Sequence, residues 1–299
     1  MSELDYIRWI RSQTPKAPRV LLGPGDDAAV VDWATGKPCV VTTDMLLEGS
    51  CFRLAEAGPY LVGRKALAVN LSDIAAMAAR PVAAVISVGL PRQGGREIAA
   101  ELYRGARELA DQFETPIVGG DTNSWDGPLV ISVTILGEAT DRGVVRRSGA
   151  QPGDWLLVTG PLGGSIQGKH LTFIPRVREA LRLHEVADLH AMIDISDGLA
   201  QDVNHICEES HCGAVLTAEA IPITEAARKM SDAKSPLQHA LSDGEDFELV
   251  FAVSREDGER LPRAELGMVK IGECVAEGLW LEECGVRKPL EVRGYVHEF

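Results

Sequence analysis

The sequence predicts an α/β protein in which two domains each combine a β-sheet with helices. Its 299 residues are enough for roughly two domains of ordinary size. Short apolar, β-branched runs alternate with segments of helical periodicity in both halves, and a turn-rich stretch at residues 148–154 separates the halves. We therefore expect an N-terminal domain at residues 1–147 and a C-terminal domain at residues 148–299.

The first half is predicted to begin with a helix that Ser2 caps and that ends before Pro15. After the glycine-containing turn at residues 23–25, the pattern changes to β-branched runs at residues 28–31 and 39–43. The turn residues between these two runs predict a β-hairpin.

A long helix is predicted from Pro59 to Ala79, because its apolar residues recur at spacings of three and four. Asn70 and Asp73 lie three positions apart and share a different face of this helix. The remaining runs predict strands at residues 82–90, 117–118, 129–136, 155–159, 191–195, 214–217, 247–253 and 269–272, with helices at residues 96–112, 176–183 and 198–209.

The composition is acidic, because 44 Asp and Glu residues oppose 30 Lys and Arg residues and give a formal charge of −14. A nucleic acid or an anionic membrane would require clustered basic residues, so we expect neither as a partner. No apolar run is long enough to span a bilayer, and the N-terminus lacks the apolar core of a secretory signal. The six cysteines contain no C-x-x-C pair, so free thiols are expected. The sequence therefore predicts a soluble, cytoplasmic protein.

Aspartates recur where a buried run meets a loop, a position at which a structural reason for a carboxylate is hard to find. A single aspartate of this kind is more often a helix cap or a turn former. Several carboxylates converging on one edge of a sheet, however, would repel one another unless cations lay among them. Oxygen ligands without a cluster of His and Cys favour Mg²⁺ or Mn²⁺ over zinc. The aspartates concerned are Asp26, Asp27, Asp44, Asp73, Asp121, Asp194 and Asp197.

Paired glycines accompany these carboxylates at Gly119–Gly120 and Gly163–Gly164. Glycine lets backbone N–H groups approach a polyphosphate closely, so an ATP-dependent phosphoryl transfer is the simplest interpretation. Residues 163–169 also match the phosphate-loop pattern G-x-x-x-x-G-K, but that pattern then needs Ser or Thr where this chain has His170. We therefore expect no phosphate loop there. His205 and His211 are interpreted as part of a solvated helix face rather than as ligands.

Together these segments resemble the thiamine-monophosphate kinase family, within the superfamily that includes aminoimidazole ribonucleotide synthetase. The matching stretches occur in the family's order from residue 23 towards the C-terminus. They are GPGDDAAV at residues 23–30, TTDM at 42–45, KALAVNLSDIAAM at 65–77, GGDT at 119–122, RSGA at 147–150, DISDGL at 194–199 and GEDFEL at 244–249.

The resemblance implies direct in-line transfer of the γ-phosphoryl group of ATP to thiamine monophosphate, with several Mg²⁺ ions. The acceptor is an already ionised phosphate oxygen, so the reaction requires no general base. The resemblance also implies a two-domain aminoimidazole ribonucleotide synthetase-like fold. Its N-terminal domain would form a homodimer, with the nucleotide in a cleft near the subunit boundary.

Roles for individual residues follow from the same resemblance. The residues implied to be catalytic are Asp44, Asp121 and Asp197, and the implied metal shell is Asp27, Thr42, Thr43, Asp44, Asp73, Asp121, Asp194 and Asp197. The residues implied to bind ATP are Tyr103, Gly119, Gly120, Arg147 and Ser196, and those implied to bind the substrate are Cys51, Glu245 and Tyr295.

Two features depart from the family pattern. The family has His followed by Phe where this chain has Cys51-Phe52, and Cys cannot offer the same hydrogen bond to a substrate phosphate. The segment at residues 168–175 is also shorter than the family's helical insertion. Two alternatives therefore stay open. One is another ATP-dependent kinase or synthetase of the superfamily, and the other is a nucleotide-binding protein that has lost turnover.

Overall fold

The computed structural model describes residues 20–22, 26–32, 36–261 and 267–292. The helix predicted to begin at Ser2, the turn at residues 23–25 and the implied substrate contact Tyr295 lie outside these described residues. Within them, the chain forms two β-sheets with helices packed on their faces, which confirms the predicted α/β class.

Six strands form the sheet of the first half, in the spatial order β1-β2-β3-β6-β4-β5. β4 and β5 pair in parallel, and the other neighbours are antiparallel. The predicted hairpin is confirmed as the antiparallel pair β2 and β3. The strands are β1 (Val20–Leu22), β2 (Ala29–Asp32), β3 (Pro38–Leu47), β4 (Arg80–Pro91), β5 (Ile117–Trp125) and β6 (Val130–Glu138).

Two helices, α1 (Leu54–Ala76) and α2 (Gly95–Gln112), complete the first half. Gly58 has a φ of 73° inside α1, so the long straight part of this helix begins at Pro59, as the sequence predicts. The helix ends at Ala76, three residues before the predicted end, because Ala78 adopts a left-handed φ of 48°.

α1 and α2 approach each other closely at two glycines. A Cβ atom on Gly63 would lie 2.1 Å from the backbone oxygen of Leu102, and one on Gly105 would lie 1.9 Å from the backbone oxygen of Tyr60. Side chains at these positions would force the two helices apart.

Seven strands form the sheet of the second half, in the order β13-β12-β9-β11-β7-β10-β8. They are β7 (Trp155–Val158), β8 (Leu189–Asp194), β9 (Gly213–Thr217), β10 (Leu249–Val253), β11 (Val269–Val275), β12 (Leu279–Glu283) and β13 (Val286–Pro289). The helices of this half are α3 (Lys169–Thr172), α4 (Val177–Val186), α5 (Leu199–Ser210), α6 (Glu225–Lys229), α7 (Pro236–Ser242) and α8 (Arg255–Arg260).

α1 lies between the two sheets. It contacts β3 and β6 on one side, and β8, α3 and α4 on the other. Its residues Leu67, Leu71 and Ile74 are fully buried, and the same core cluster includes Phe251 and Met192 of the second sheet. A second core lies on the opposite face of that sheet, under α5. Because the first core continues across both halves, the domain limits at residues 147 and 148 stay a prediction.

The main differences from the predicted elements concern edge strands and short helices. β5 runs to Trp125, although the sequence predicts only two strand residues. The residues after Val118 are exposed and lack the apolar run of a predicted strand, but their backbone pairs with β4. β12 and β13 are also not predicted, and their side chains are mostly half-buried or exposed. Among the described helices, none is long and apolar enough to cross a membrane.

Candidate active site

Three aspartates from distant parts of the sequence meet between the two halves. Asp27 precedes β2, Asp73 lies on α1 and Asp194 ends β8. Each offers one carboxylate oxygen, and these three oxygens lie within 4.8 Å of one another. The predicted convergence of carboxylates is therefore observed for these three residues, which we call the aspartate cluster.

β3 contributes two further polar side chains on the face that packs against α1. The Thr42 hydroxyl donates to Oδ2 of Asp73 at 2.5 Å. The backbone N–H of Asp44 donates to Oδ1 of Asn70 at 3.1 Å, which fixes this part of the strand against the helix. Residues 42 and 44 alternate along the strand with residue 43, so their side chains share one face.

Burial and repulsion raise the pKa values of the carboxyl groups of Asp44, Asp73 and Asp194. Burial raises the pKa of Asp44 to about 6 and that of Asp194 to about 8, and the charge of Asp27 contributes to both. Burial, followed by the charges of Asp44 and Asp194, raises the pKa of Asp73 well above its usual range. A bound cation would favour the ionised forms, so this set of oxygen donors fits a hard divalent cation.

Arg147 supplies positive charge beside the aspartate cluster. Its Nε and Nη2 donate to Oδ2 and Oδ1 of Asp27, each at 2.9 Å. Its backbone N–H donates to Oδ2 of Asp26 at 3.2 Å. A bidentate pair of this kind fixes the orientation of both groups. An implied ATP contact and an implied metal ligand are thus bonded to each other.

A second group of possible ligands lies at the start of α5. Asp197, Asp202 and His205 offer atoms that lie within 4.8 Å of one another. Asp202 is buried and accepts hydrogen bonds from the backbone N–H groups of Asp197 and Gly198, at 3.2 and 3.1 Å. Burial lowers the pKa of the His205 imidazole. The interpretation as part of a solvated face is wrong for His205, because this residue is half-buried beside these two carboxyl groups, whereas His211 is exposed at the end of α5.

A cavity of about 580 Å³ opens beside the aspartate cluster, and we call it the carboxylate cavity. It brings the implied substrate residues Cys51 and Glu245 to the same space as the implied metal ligands. Its lining includes Asp44, Asp73, Asp194, Ser196, Asp197, Cys51, Lys65 and Glu245.

A separate cavity of about 540 Å³ lies between the α1–α2 pair and the β4–β5 edge. Tyr103, Gly119 and Gly120 line it together with apolar side chains such as Ile86. Gly120 is required there, because a Cβ atom would lie 1.8 Å from the backbone oxygen of Ile86. The residues implied to bind ATP therefore lie at two separate places in one chain. These three lie at the second cavity, whereas Arg147 and Ser196 lie near the aspartate cluster.

Thr43 and Asp121 do not reach the aspartate cluster of their own chain. The Thr43 hydroxyl is exposed and lies 2.9 Å from that of Thr134, on the sheet face opposite α1. Asp121 is on β5, and β6 and β4 separate this strand from β3. The expectation that both side chains join Asp73 and Asp194 is therefore not met in the single chain, because strand alternation and strand order direct them elsewhere.

In the segment that matches the phosphate-loop pattern, the lysine pairs with a buried carboxylate. The Lys169 ammonium donates to the buried carboxylate of Glu248 at 2.8 Å, and Arg176 donates to the same carboxylate at 2.7 and 3.0 Å. The backbone N–H of Gly163 donates to Asp246 at 2.8 Å. An anionic carboxylate therefore occupies the position next to this lysine, in agreement with the expectation that no phosphate loop exists here.

Sequence reasoning missed three polar residues of the site. Lys65 is buried on α1 and lines the carboxylate cavity, and Ser72 donates to Asp194 at 2.6 Å. Asp202 accepts from the backbone N–H groups of the two residues that precede α5. Lys65 and Ser72 lie in the helical stretch that carries Asp73, on faces that are buried by the second half. A lysine within an Ala- and Leu-rich buried helix was the available signal.

Comparisons with known proteins match both halves of the chain to one superfamily. Residues 25–139 match the AIR synthase related protein N-terminal domain, and residues 151–279 match the corresponding C-terminal domain. The thiamine-monophosphate kinase of Rhodopirellula baltica is 42% identical over 290 residues, which cover 93% of this chain and 91% of that protein.

Solved structures agree with these matches. The structure of AaThiL complexed with AMPPCP and TMP has a TM-score of 0.86 and 28% identity, and the match covers 99% of this chain and 97% of that chain. The thiamine-monophosphate kinase of Stenotrophomonas maltophilia K279a has a TM-score of 0.74 and 33% identity, with 94% and 95% covered. With both domains matched and such relatives spanning nearly its whole length, the chain belongs to the thiamine-monophosphate kinase family of phosphotransferases.

Proposed function

We propose that this protein transfers the γ-phosphoryl group of ATP to thiamine monophosphate, with release of thiamine diphosphate and ADP. The observation that carries the proposal is the aspartate cluster at the edge of the carboxylate cavity, because it can collect cations where two phosphate-bearing molecules would meet. The related AaThiL structure was solved with AMPPCP and TMP, which supports these two ligand classes.

The chemistry needs positioning more than proton transfer. An oxygen of the acceptor phosphate forms a bond to the γ-phosphorus, the bond from that phosphorus to the β-phosphate bridging oxygen breaks, and ADP leaves with the electron pair. The acceptor oxygen is largely ionised near neutral pH, so no side chain has to remove a proton. This is consistent with a cavity whose lining combines carboxylates with Lys65 and Ser196.

Residues of the aspartate cluster fit Mg²⁺, because their donors are carboxylate oxygens rather than thiols or imidazoles. When bound, Mg²⁺ neutralises phosphate charge and aligns the reacting groups. We propose that Asp27, Asp44, Asp73, Asp194 and Asp197 hold it, with Thr42 orienting Asp73. Thr43 would contribute through its backbone carbonyl, since its hydroxyl faces away.

For the nucleotide, we propose binding by Tyr103, Gly119 and Gly120 at the second cavity, and by Arg147 and Ser196 at the aspartate cluster. The open face of the first sheet carries exposed Met45 and Trp125. We propose that a second copy of the chain covers this face in a homodimer. Asp121 would then act in the site of the partner copy, which agrees with its distance from Asp44 within one chain.

On the substrate side, we propose that Glu245 contacts the cationic thiazolium ring and that Cys51 borders the acceptor phosphate. Glu245 lines the carboxylate cavity and retains partial exposure, so its carboxylate is available to a cationic ligand. Tyr295 keeps its proposed role as an aromatic contact for the substrate.

ADP release and product identity test the proposal directly. Purified protein is incubated with ATP and Mg²⁺, and with thiamine monophosphate, thiamine or no acceptor, and the products are separated by chromatography. We expect thiamine diphosphate from the monophosphate and none from thiamine. Binding of ATP without thiamine diphosphate would instead favour the nucleotide-binding alternative, and turnover with another phosphate acceptor would favour another kinase of the superfamily.

A further inference from the structure

Lys65 is a buried cation at the wall of the carboxylate cavity. Its side chain is 1% exposed, and its ammonium donates to Glu245 Oε1 at 2.5 Å and to the backbone oxygen of Cys51 at 2.8 Å. An ammonium has three N–H bonds, and these contacts use two of them. Lys65 and Cys51 belong to the first half of the chain and Glu245 to the second, so this contact joins the two walls of the cavity.

The backbone around Glu245 is held in an unusual conformation. Gly244, Glu245 and Phe247 have left-handed φ angles of 74°, 53° and 49°. The backbone N–H of Glu245 donates to the carbonyl oxygen of Ser196 at 2.7 Å, and the Ser165 hydroxyl donates to the Gly244 carbonyl oxygen at 2.8 Å. This region is unfavourable for residues other than glycine, and such residues cluster at functional sites. The turn presents Glu245 to Lys65.

Positive charge is scarce along the carboxylate cavity. Lys65 lies at its inner wall, and Lys234, which is 48% exposed on its side chain, pairs with Asp243 at 2.9 Å. The buried His239 also lines the cavity, but its two ring nitrogens are already taken up by Asp232 and Asp243, at 3.1 and 2.7 Å. Cys51 stands where the family pattern has a histidine, and a thiol side chain has no positively charged form. The Lys65 ammonium is within hydrogen-bond distance of the backbone oxygen of Cys51, so it lies next to this vacated phosphate contact.

We propose that Lys65 binds the acceptor phosphate of the substrate, and that Lys65 and Glu245 form a dipolar pair that recognises one molecule carrying both an anionic phosphate and a cationic ring. This inference rests on the proposed function, because thiamine monophosphate is such a molecule. The phosphate oxygen takes a hydrogen bond from the Lys65 ammonium, and the ring cation lies against the Glu245 carboxylate.

Charge balance supports this arrangement. Without ligand, Lys65 and Glu245 neutralise each other, and breaking a buried pair without replacement is costly. A ligand with both charges replaces the Lys65–Glu245 ion pair with two pairs, one between Lys65 and the phosphate and one between Glu245 and the ring cation. No buried charge is then left uncompensated. A ligand with the ring cation alone lacks the anion for Lys65. The pair therefore discriminates the phosphorylated substrate from its dephosphorylated form.

Equilibrium binding of thiamine monophosphate and of thiamine to the full chain, by calorimetry without ATP, tests the proposal. The wild type should prefer the monophosphate, and K65M should lose roughly 10- to 100-fold in affinity for it, as expected for a charge-assisted hydrogen bond. Affinity for thiamine should stay equal or rise, because K65M also removes the ammonium that thiamine would leave without an anion. K65R should retain part of the preference. K288M removes a cation outside the cavity, at the exposed pair of Lys288 with Glu283, and should leave both affinities unchanged.

Retention of the phosphate preference by K65M would overturn the role of Lys65, and so would an equal loss of affinity for both ligands. Formation of thiamine diphosphate by the wild type is measured in parallel. If the wild type makes this product while K65M keeps its preference, only the inference about Lys65 fails. If the wild type makes none, the proposed function fails, and a Lys65-dependent preference in binding still supports the inference. If neither ligand binds, both fail.

A second variant guards against a loss of folding in K65M. E245Q/K65M removes both charges of the pair, so no uncompensated carboxylate remains, and its thermal unfolding should resemble that of the wild type. In this variant the preference for the monophosphate should be lost as in K65M. E245Q alone should weaken the binding of both ligands and keep the preference for the monophosphate. Loss of that preference in E245Q alone would contradict the assignment of the phosphate to Lys65.

Discussion

Asp44 and Asp121 lie on opposite faces of the first sheet. Asp44 pairs in register with Val133 of β6, which is buried. Asp121 lies in one cross-strand row with Ser87, Ser132 and Met45, and Met45 is 61% exposed on the other face of the sheet. β3 and β5 are three strand spacings apart, which corresponds to roughly 14 Å. The two carboxylates therefore cannot act at one site within a single chain.

Mixing two inactive variants tests whether Asp121 acts in the partner copy. D44A and D121A should each lose phosphoryl transfer as homodimers. After unfolding and refolding together, half of the dimers are hybrids with one intact site of two, so activity should recover to about a quarter of the wild type. Activity is measured as ADP release with thiamine monophosphate. Mixing without unfolding is the control, and absence of recovery after co-refolding would show that Asp121 does not complement Asp44 across the dimer.

Asp73→Asn and Asp194→Asn should separate catalysis from stability. Each variant removes a carboxylate whose pKa is raised by burial and by neighbouring charge. Turnover should fall by about a hundredfold or more if these oxygens hold a catalytic cation, whereas the free energy of unfolding should stay equal or rise because repulsion is relieved.

Initial rates at saturating Mg²⁺ and urea denaturation check these two expectations. Asp126→Asn is the matched control, because that carboxylate is 83% exposed and pairs only with the surface residue Arg92 among the described contacts. An unchanged turnover rate in the Asp73 variant would remove that residue from the proposed metal shell.

The stability of the metal-free protein should fall as the pH rises towards 8. Burial raises the pKa of Asp194 from 3.8 to about 8 and that of Asp44 from 3.8 to about 6. From pH 3.8 up to about 8, the folded state therefore binds more protons than the unfolded state. Stability therefore decreases with rising pH across this window. Mg²⁺ competes with these protons, so its stabilising effect should be larger at pH 8 than at pH 5.5.

Thermal unfolding with EDTA or with Mg²⁺, at both pH values, measures this effect. At pH 8 we expect about 1 kcal/mol or more of stabilisation by Mg²⁺, which corresponds to a rise in Tm of roughly 2–4 °C. Asp73→Asn should reduce the difference between the two pH values. An equal rise in Tm at both pH values would indicate that Mg²⁺ does not bind at these carboxylates.

Local patterns in the sequence predicted the parts of the site that depend on one element at a time. Asp194 was identifiable because it ends a buried strand, and Asp73 because it interrupts an apolar helix. The contact between them depends on α1 packing against β8, a relationship between residues more than a hundred positions apart. That Asp73 and Asp194 belong to one site was predicted from the resemblance of the motifs to a family, and not from the periodicity of the sequence.

The positions of Asp121 and Lys65 show why the rest was not predictable. The face and location of Asp121 follow from the strand order β3-β6-β4-β5, and no local pattern encodes that order. Lys65 looks like a surface residue of an amphipathic helix, but α1 is covered on nearly all sides by the two sheets and α2. The buried lysine is tolerated because Glu245, from the other half, pairs with it and the backbone oxygen of Cys51 accepts a second hydrogen bond.

Lys169→Met should affect stability rather than nucleotide binding. The Lys169 ammonium and the Arg176 guanidinium, despite the opposing effect of burial, lower the pKa of Glu248, so this carboxylate is ionised and depends on both cations. Removing one of them should cost about 1–3 kcal/mol of unfolding free energy, with Arg176 retaining part of the pairing. The KM for ATP should change less than about twofold.

Urea denaturation and steady-state kinetics test Lys169→Met, with Arg255→Met as the control, because its pair with Glu259 is exposed and contributes about 0–1 kcal/mol. A large rise in the KM for ATP at unchanged stability would instead mean that residues 163–169 do bind phosphate.

Cys51→His should preserve or improve the use of thiamine monophosphate. The imidazole would restore the contact that the family pattern has at this position, next to the Lys65 ammonium that already bonds to the Cys51 backbone oxygen. Because the substitution changes only the side chain, that backbone contact is retained. We expect an unchanged kcat and a KM for thiamine monophosphate that is equal or lower, measured by steady-state ADP release, with Cys51→Ala as the control for loss of the thiol. A tenfold loss of kcat/KM in Cys51→His alone would mean that the cavity is shaped for a different phosphate acceptor, because only a substrate that needs the smaller side chain would be excluded.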